Sequence, residues 1–220
     1  MKRLLGLFVL LGLTVGCTLI TRIPIDQQIN KLIVKANLLR DAEYWDEAIE
    51  TWKAIIELDP NYFPAHLYIA ELYQSATEFE KSLPYLEKAK ELKPDDVVAY
   101  VLLGRAKYRL GDYKGAVEAY TRLVAIQPDI PDNHIRLGNA QYMLQNFAQA
   151  LNAYSEAIKI YTEQNWPRAE DSDGRDNLMV AYYNSAFILS LQNNVEQSIE
   201  MLKKLVDELQ GQAQPKIYYW

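Results

Sequence analysis

Trp45, Phe79, Tyr113 and Phe147 follow one another at a constant step of 34 residues. Two further columns keep the same step: Ala48, Ser82, Ala116 and Ala150 three residues after each aromatic, and Pro60, Pro94 and Pro128 fifteen residues after the first three. A fixed period of this length means one small supersecondary unit stacked on copies of itself, because so short a unit cannot bury its apolar face alone. A globule built around a single core has no use for such a ruler.

Half of the 220 residues are apolar, glycines number only nine and β-branched runs are sparse, so the units are expected to be helical and the chain all-α. With 23 basic and 29 acidic residues the net charge is −6, which opposes general binding to nucleic acid. Cys17 is the single cysteine, so no intramolecular disulfide can form. A metal site would have to rest on His66, His134 and carboxylates, yet the two histidines lie two periods apart and coordination demands a few ångströms. The run Asp171-Ser172-Asp173-Gly174-Arg175-Asp176 lacks the later glutamate of a calcium loop and is expected to be a solvated acidic loop. No Ser/His/Asp grouping, phosphate-cradling glycine loop or zinc pattern occurs, so neither an active site nor a cofactor is expected.

At the N-terminus Lys2-Arg3 precedes an apolar run from Leu4 to Val15, then Gly16 and Cys17, the layout of a secretory signal over residues 1–16. Leu13-Thr14-Val15-Gly16-Cys17 resembles the lipobox of bacterial lipoproteins, with Thr14 where leucine is usual. That resemblance implies cleavage before Cys17 and lipidation of its thiol, and Thr18 after the cysteine then favours the outer membrane. The alternative is an uncleaved signal anchor in the inner membrane, since Leu4 to Ile20 just reaches the length of a spanning helix. Either reading tethers the chain to a membrane.

Beyond a linker at 17–28, the 34-residue unit resembles the tetratricopeptide repeat. The residues that carry the likeness in the first unit are Leu32, Ala36 and Leu39 on helix A, then Trp45, Ala48, Trp52 and Ile55 on helix B, closing at Asp59-Pro60. Units are expected at 29–62, 63–96, 97–130 and 131–164, then an insertion at 165–178, a fifth unit at 179–212 and an aromatic tail at 213–220. Pro84, early in helix B of the second unit, is expected to kink or shorten that helix. The resemblance implies a right-handed α-solenoid of about five helix-turn-helix units.

Positions two, five, nine, twelve and thirteen of each helix A fall on one stripe at 3.6 residues per turn. By the resemblance that stripe lines a concave peptide-binding groove. It carries Asn37 in the first unit, Arg105, Tyr108 and Arg109 in the third, Asn139 and Tyr142 in the fourth, and Tyr183 and Phe187 in the fifth. Arg105 and Arg109, with Arg136 within approach, suit a carboxylate or an acidic segment. Asn139 and Asn184 match paired asparagines that hold a peptide backbone in family members, although Ile135 stands where the carboxylate-clamp subtype has a lysine. Alternatively Asn139 faces water, and Tyr142, Tyr183 and Phe187 pack against the insertion.

The expected function is a membrane-tethered adaptor that binds a protein or peptide in its groove and supports assembly of a cell-envelope complex. A second reading is a self-associating structural protein whose Tyr218-Tyr219-Trp220 tail enters the groove of another copy.

Overall fold

The computed structural model describes residues 24–163 and 172–213, all-α among those residues. Cys17, the rest of the leader and linker up to residue 23, the stretch 164–171 and the tail from residue 214 lie outside them. The chain divides after Pro60 into two units.

The first unit holds one helical hairpin, α1 (Ile25–Asp41) and α2 (Trp45–Leu58). Ala36 and Ala48 are fully buried there with Ile55 and the indole of Trp52. Small residues let two helices approach closely, and a large side chain then fills the space beside them. Helix α1 starts at Ile25, so residues 25–28 are its first turn rather than part of the linker.

The second unit contains four hairpins: α3 (Phe63–Ser75) with α4 (Phe79–Leu92), α5 (Val97–Arg109) with α6 (Tyr113–Ile126), α7 (Pro131–Met143) with α8 (Phe147–Glu163), and α9 (Ser172–Leu191) with α10 (Val195–Ala213). Each second helix also packs on the first helix of the next hairpin, through the joints α4 to α5, α6 to α7 and α8 to α9. One cluster of buried residues runs from Ala70 through Leu86, Leu103 and Tyr120 to Ala140, and another from Ile135 through Tyr154 to Ile188. All four ruler aromatics open a second helix, and Val195 does so in the fifth hairpin.

Every hairpin turns in the same way. Glu43, Thr77, Gly111, Gln145 and Asn193 hold φ between 60° and 81°. Each occupies position fifteen, counting from Ile29, Phe63, Val97, Pro131 and Met179. At each one the backbone N–H reaches the carbonyl three residues back, and the next N–H reaches the carbonyl five residues back, as in Thr77 to Gln74 and Glu78 to Tyr73. This is a Schellman closure, which satisfies carbonyls that the helix end leaves without partners. Only Gly111 adopts that conformation without Cβ crowding.

Three expectations change. Pro84 does not shorten α4, which has 14 residues like α2 and α6. Its missing N–H removes the one intrahelical bond that would reach the carbonyl of Glu80, an exposed residue to which water has access. Residues 172–178, assigned to the insertion, form the start of α9, which makes it a 20-residue helix. Ser172 to Asp176 are therefore helical rather than an acidic loop. Where Thr162 replaces the closing proline, α8 runs on to Glu163, three residues longer than α6.

Candidate functional site

Two tyrosines organise the helix-A wall of the second unit from behind. Tyr120 on α6 lies against Gly104, where a Cβ would stand 2.3 Å from its ring, and Tyr154 on α8 lies against Gly138, where a Cβ would stand 2.6 Å away. With no side chain in the way, each ring passes between two first helices and delivers its hydroxyl to the wall. Position nine of its own unit and position six of the next receive it.

At the first such junction these residues are Arg105 and Arg136. Arg136 hydrogen-bonds the Tyr120 hydroxyl, and the charge of Arg105 also acts on it. Burial pushes the phenol up to about 12 against the opposing pull of both arginines. Arg105 donates from Nε to Gln74 Oε1 at 2.5 Å, and the buried Gln74 donates in turn to the carbonyl of Leu102 at 2.8 Å. Neither Arg105 nor Arg136 has a carboxylate partner among the described residues.

At the second junction the residues are Asn139 and Asn184. Tyr154 donates its hydroxyl proton to Asn139 Oδ1 at 2.6 Å, and Asn184 Nδ2 donates to the same oxygen at 3.1 Å and to the Tyr154 oxygen at 3.3 Å. Burial, foremost, raises the Tyr154 phenol, while its bond with Asn184 opposes the shift. The pair of asparagines is thus brought together as expected, held by each other and by a tyrosine. Asn139 Nδ2 and Asn184 Oδ1, one donor and one acceptor, have no hydrogen bond with the described residues. Nearer the start of α7, Asp132 Oδ1 accepts from Tyr161 at 2.8 Å and from Asn177 at 3.0 Å, and so is already engaged.

Past the asparagines the wall is aromatic. Tyr142 lies 6.3 Å from Phe187 and 6.0 Å from Phe147, and Phe187 stacks on Tyr183 at 6.4 Å with the planes 8° apart. Tyr183 and Phe187 remain exposed. Tyr108 meets Tyr113 edge-on at 5.4 Å, and burial raises its phenol. Arg109 does not join Arg105: its guanidinium lies over the Phe79 ring at 5.0 Å. Asn37 stands on α1 in the first unit, where its Oδ1 is buried without a hydrogen-bond partner.

Sequence reasoning placed Gln74 on the wall stripe but did not single out Tyr120 or Tyr154 as wall residues. A signal was present, because Gly104 with Tyr120 and Gly138 with Tyr154 form one pair repeated a period apart. His66 and His134 are both buried; His134 Nε2 sits 2.7 Å from the carbonyl of Pro128, and His66 neighbours the Tyr85 ring. No group of three metal-binding side chains occurs among the described residues, nor is any helix there long and apolar enough to cross a membrane.

Antiparallel hairpins joined through a repeated helix contact define a helical-repeat protein, and comparison with known proteins says which kind. The tetratricopeptide repeat model matches residues 33–97 and 101–167, and the chain belongs to that family. It is 32% identical over 68 residues to tetratricopeptide repeat protein 17 of Rattus norvegicus, a match covering 31% of this chain and 6% of the relative. The same protein of Danio rerio is 30% identical over 79 residues, again 6% of its length. The chain therefore spans a small part of the curated relatives it matches. Among solved structures, MamA superposes with a TM-score of 0.74 at 18% identity, covering 89% of this chain and 99% of that one. YrrB, described as a TPR protein with an unusual peptide-binding site, gives 0.66 at 19% identity, covering 84% and 91%. At these identities the likeness shows the fold, a TPR-type α-solenoid.

Proposed function

We propose that the chain is a membrane-tethered TPR adaptor that holds a segment of another protein along the wall formed by α5, α7 and α9, and that it helps assemble a cell-envelope complex. The observation that carries this reading is the pair Arg105 and Arg136. Two guanidiniums beside one buried hydroxyl have no carboxylate of their own, an arrangement that favours an acidic group on a ligand. Next along the wall, the unused donor of Asn139 and acceptor of Asn184 suit a main-chain carbonyl and N–H, and the exposed Tyr183 and Phe187 offer area to apolar side chains. Because the groups follow this order, the ligand we infer is an extended segment with a carboxylate at one end and an aromatic or aliphatic side chain a few residues away. None of these groups is arranged for catalysis: the wall lacks a nucleophile beside a base.

The tether rests on the leader and Cys17, and the outer membrane on Thr18. YrrB, of the same fold, supports peptide binding only by analogy.

The test places a photo-cross-linking amino acid at Tyr183 and, as control, at the exposed Glu118 of α6, in the native cell. Cross-links to one and the same partner are expected from position 183 alone. They should vanish in Arg105→Glu with Arg136→Glu, while the thermal melt stays within a few degrees. Equal cross-linking from Glu118, or capture that survives the double charge reversal, would remove the wall from the account. Labelled palmitate incorporated by the native chain and lost in Cys17→Ser tests the anchor; no incorporation in either chain would refute lipidation.

A further inference from the structure

We propose that the two ends of the chain are complementary and that a second copy docks head to tail, α1 of one molecule continuing the stack on α10 of another. The pattern comes from the joints inside the second unit, where a first helix meets the preceding second helix through positions six and ten, among others. At position six, Arg136 and Asn184 bond the tyrosine at position twenty-four of the helix before, and Leu102 is buried. At position ten, Ala106, Ala140 and Ile188 are buried, each in one cluster with the residue at position twenty-one of the helix before: Leu83, Val117 and Leu151.

Helix α1 presents the same two positions uncovered. Val34 at position six is 61% exposed, and Leu38 at position ten is 66% exposed. Helix α10 presents the other half. Val195, Ile199, Leu202 and Val206, at positions seventeen, twenty-one, twenty-four and twenty-eight, form a continuous exposed stripe, the residues between 40% and 52% exposed. A shallow groove of about 270 Å³ runs along it, lined by Ile199, Leu202, Lys203, Val206 and Asp207. By the register of the internal joints Val34 meets Leu202 and Leu38 meets Ile199. Charge agrees with this pairing. Lys31 and Lys35 precede Val34 and Leu38 by three residues on the same face of α1, while Glu196 and Asp207 flank the stripe on α10, and none of the four is ion-paired among the described residues.

A joint that the fold makes three times internally thus recurs between copies, covering apolar rows that would otherwise stay wet. Since the two surfaces differ, the contact is heterologous and each docking leaves the same two ends free, which leads to rings or open filaments instead of closed dimers. The proposal does not depend on what the wall of α5, α7 and α9 holds.

Full-length chains carrying Val34→Cys or Leu202→Cys, both with Cys17→Ser to remove the native thiol, are expressed together under different tags and oxidised. A mixed disulfide joining position 34 of one chain to position 202 of the other is the expected product. Disulfides between like positions only, or none, would overturn the proposal. In sedimentation of the Cys17→Ser chain, mass should rise with concentration in steps of one chain, and Leu38→Glu should reduce it to a single chain with an unchanged melt. A monomer at every concentration, or a ladder that persists in Leu38→Glu, refutes it. Deleting residues 214–220 should leave the ladder intact; its loss would assign association to the tail instead.

Discussion

Asn184 on α9 donates its side-chain amide to Oδ1 of Asn139 on α7 across 3.1 Å, and the hydroxyl of Tyr154 reaches the same oxygen from behind. One acceptor therefore secures a joint between two hairpins and fixes the orientation of two side chains on the wall. Asn139→Ala leaves the Tyr154 hydroxyl and the Asn184 amide without that partner. An unsatisfied, largely buried donor costs about 1–3 kcal/mol, and a chain of this size loses about 2–4 °C in Tm per kcal/mol. Thermal unfolding monitored by circular dichroism should show that drop. Asn139→Ala with Tyr154→Phe should be less damaging than the two single losses added together, since the second change removes the stranded hydroxyl.

Gly104 and Tyr120 predict a coupled pair. The ring occupies the space that a Cβ at position 104 would need, 2.3–2.7 Å from three ring atoms. Overpacking of this kind costs about 1–3 kcal/mol, so Gly104→Ala should lower the urea midpoint. In α3 and α4 the same two places hold Ala70 and Leu86, both fully buried. Gly104→Ala combined with Tyr120→Leu reproduces that pair and should recover most of the loss, and purely additive effects would count against the contact.

Tyr120 also makes stability depend on alkaline pH. Its folded-state pKa is pushed up to about 12, above the ordinary 10.0, chiefly by burial. The stabilisation linked to the neutral phenol is complete below pH about 10 and is lost as pH rises from there through the folded value. Absorbance titration of the phenolates should show Tyr120 ionising late, together with unfolding. Tyr120→Phe should shift the alkaline unfolding midpoint upward, and a curve identical to that of the unchanged chain would contradict the burial.

The turn residues predict a gain. Thr77 is β-branched and holds φ 61°, a conformation that costs an L-residue about 1–2 kcal/mol. Thr77→Gly removes the crowding but adds freedom to the unfolded chain worth about 0.5–1 kcal/mol. The balance should be a small rise in Tm, and Gly111→Thr, the reverse change at the equivalent place, should lower it. A fall in Tm for Thr77→Gly would mean that the Thr77 side chain contributes something the turn geometry does not reveal.

The period itself carried most of the fold. Aromatics at a constant step located the start of four second helices, because such a residue packs where each hairpin closes. Helix ends were less legible. Ile25 to Gln28 looked like spacer, and residues 172–178 like insertion, because a helix can run past its repeat wherever no proline stops it, as α8 does beyond Thr162. Pro84 warned of a shorter helix, but one lost N–H on a solvated side of α4 is tolerated. At the wall, the helix-A stripe put Tyr142 and Phe187 on one face, where they meet, while Asn184, at position six, entered only through the family resemblance and hydrogen-bonds Asn139. The stripe could not separate Arg109 from Arg105, since neighbouring places on it reach different partners at the two ends of a helix. Tyr120 and Tyr154 were overlooked because they belong to the second helices, and only the glycines opposite them reveal that their hydroxyls pass through.

The five left-handed turn residues sit at one place in every hairpin, whichever side chain occupies it. Backbone geometry is thereby reset once per period, so an error in length inside a hairpin shifts its second helix unless it amounts to a whole period. Excising 97–130 would bring α7 onto α4 in the old register, whereas a cut a few residues long or short inside a helix would turn the next joint onto the wrong face. Length inside the hairpins is in that sense quantised, whereas the chain carries fourteen extra residues, 165–178, ahead of its fifth unit and Asn184 still meets Tyr154.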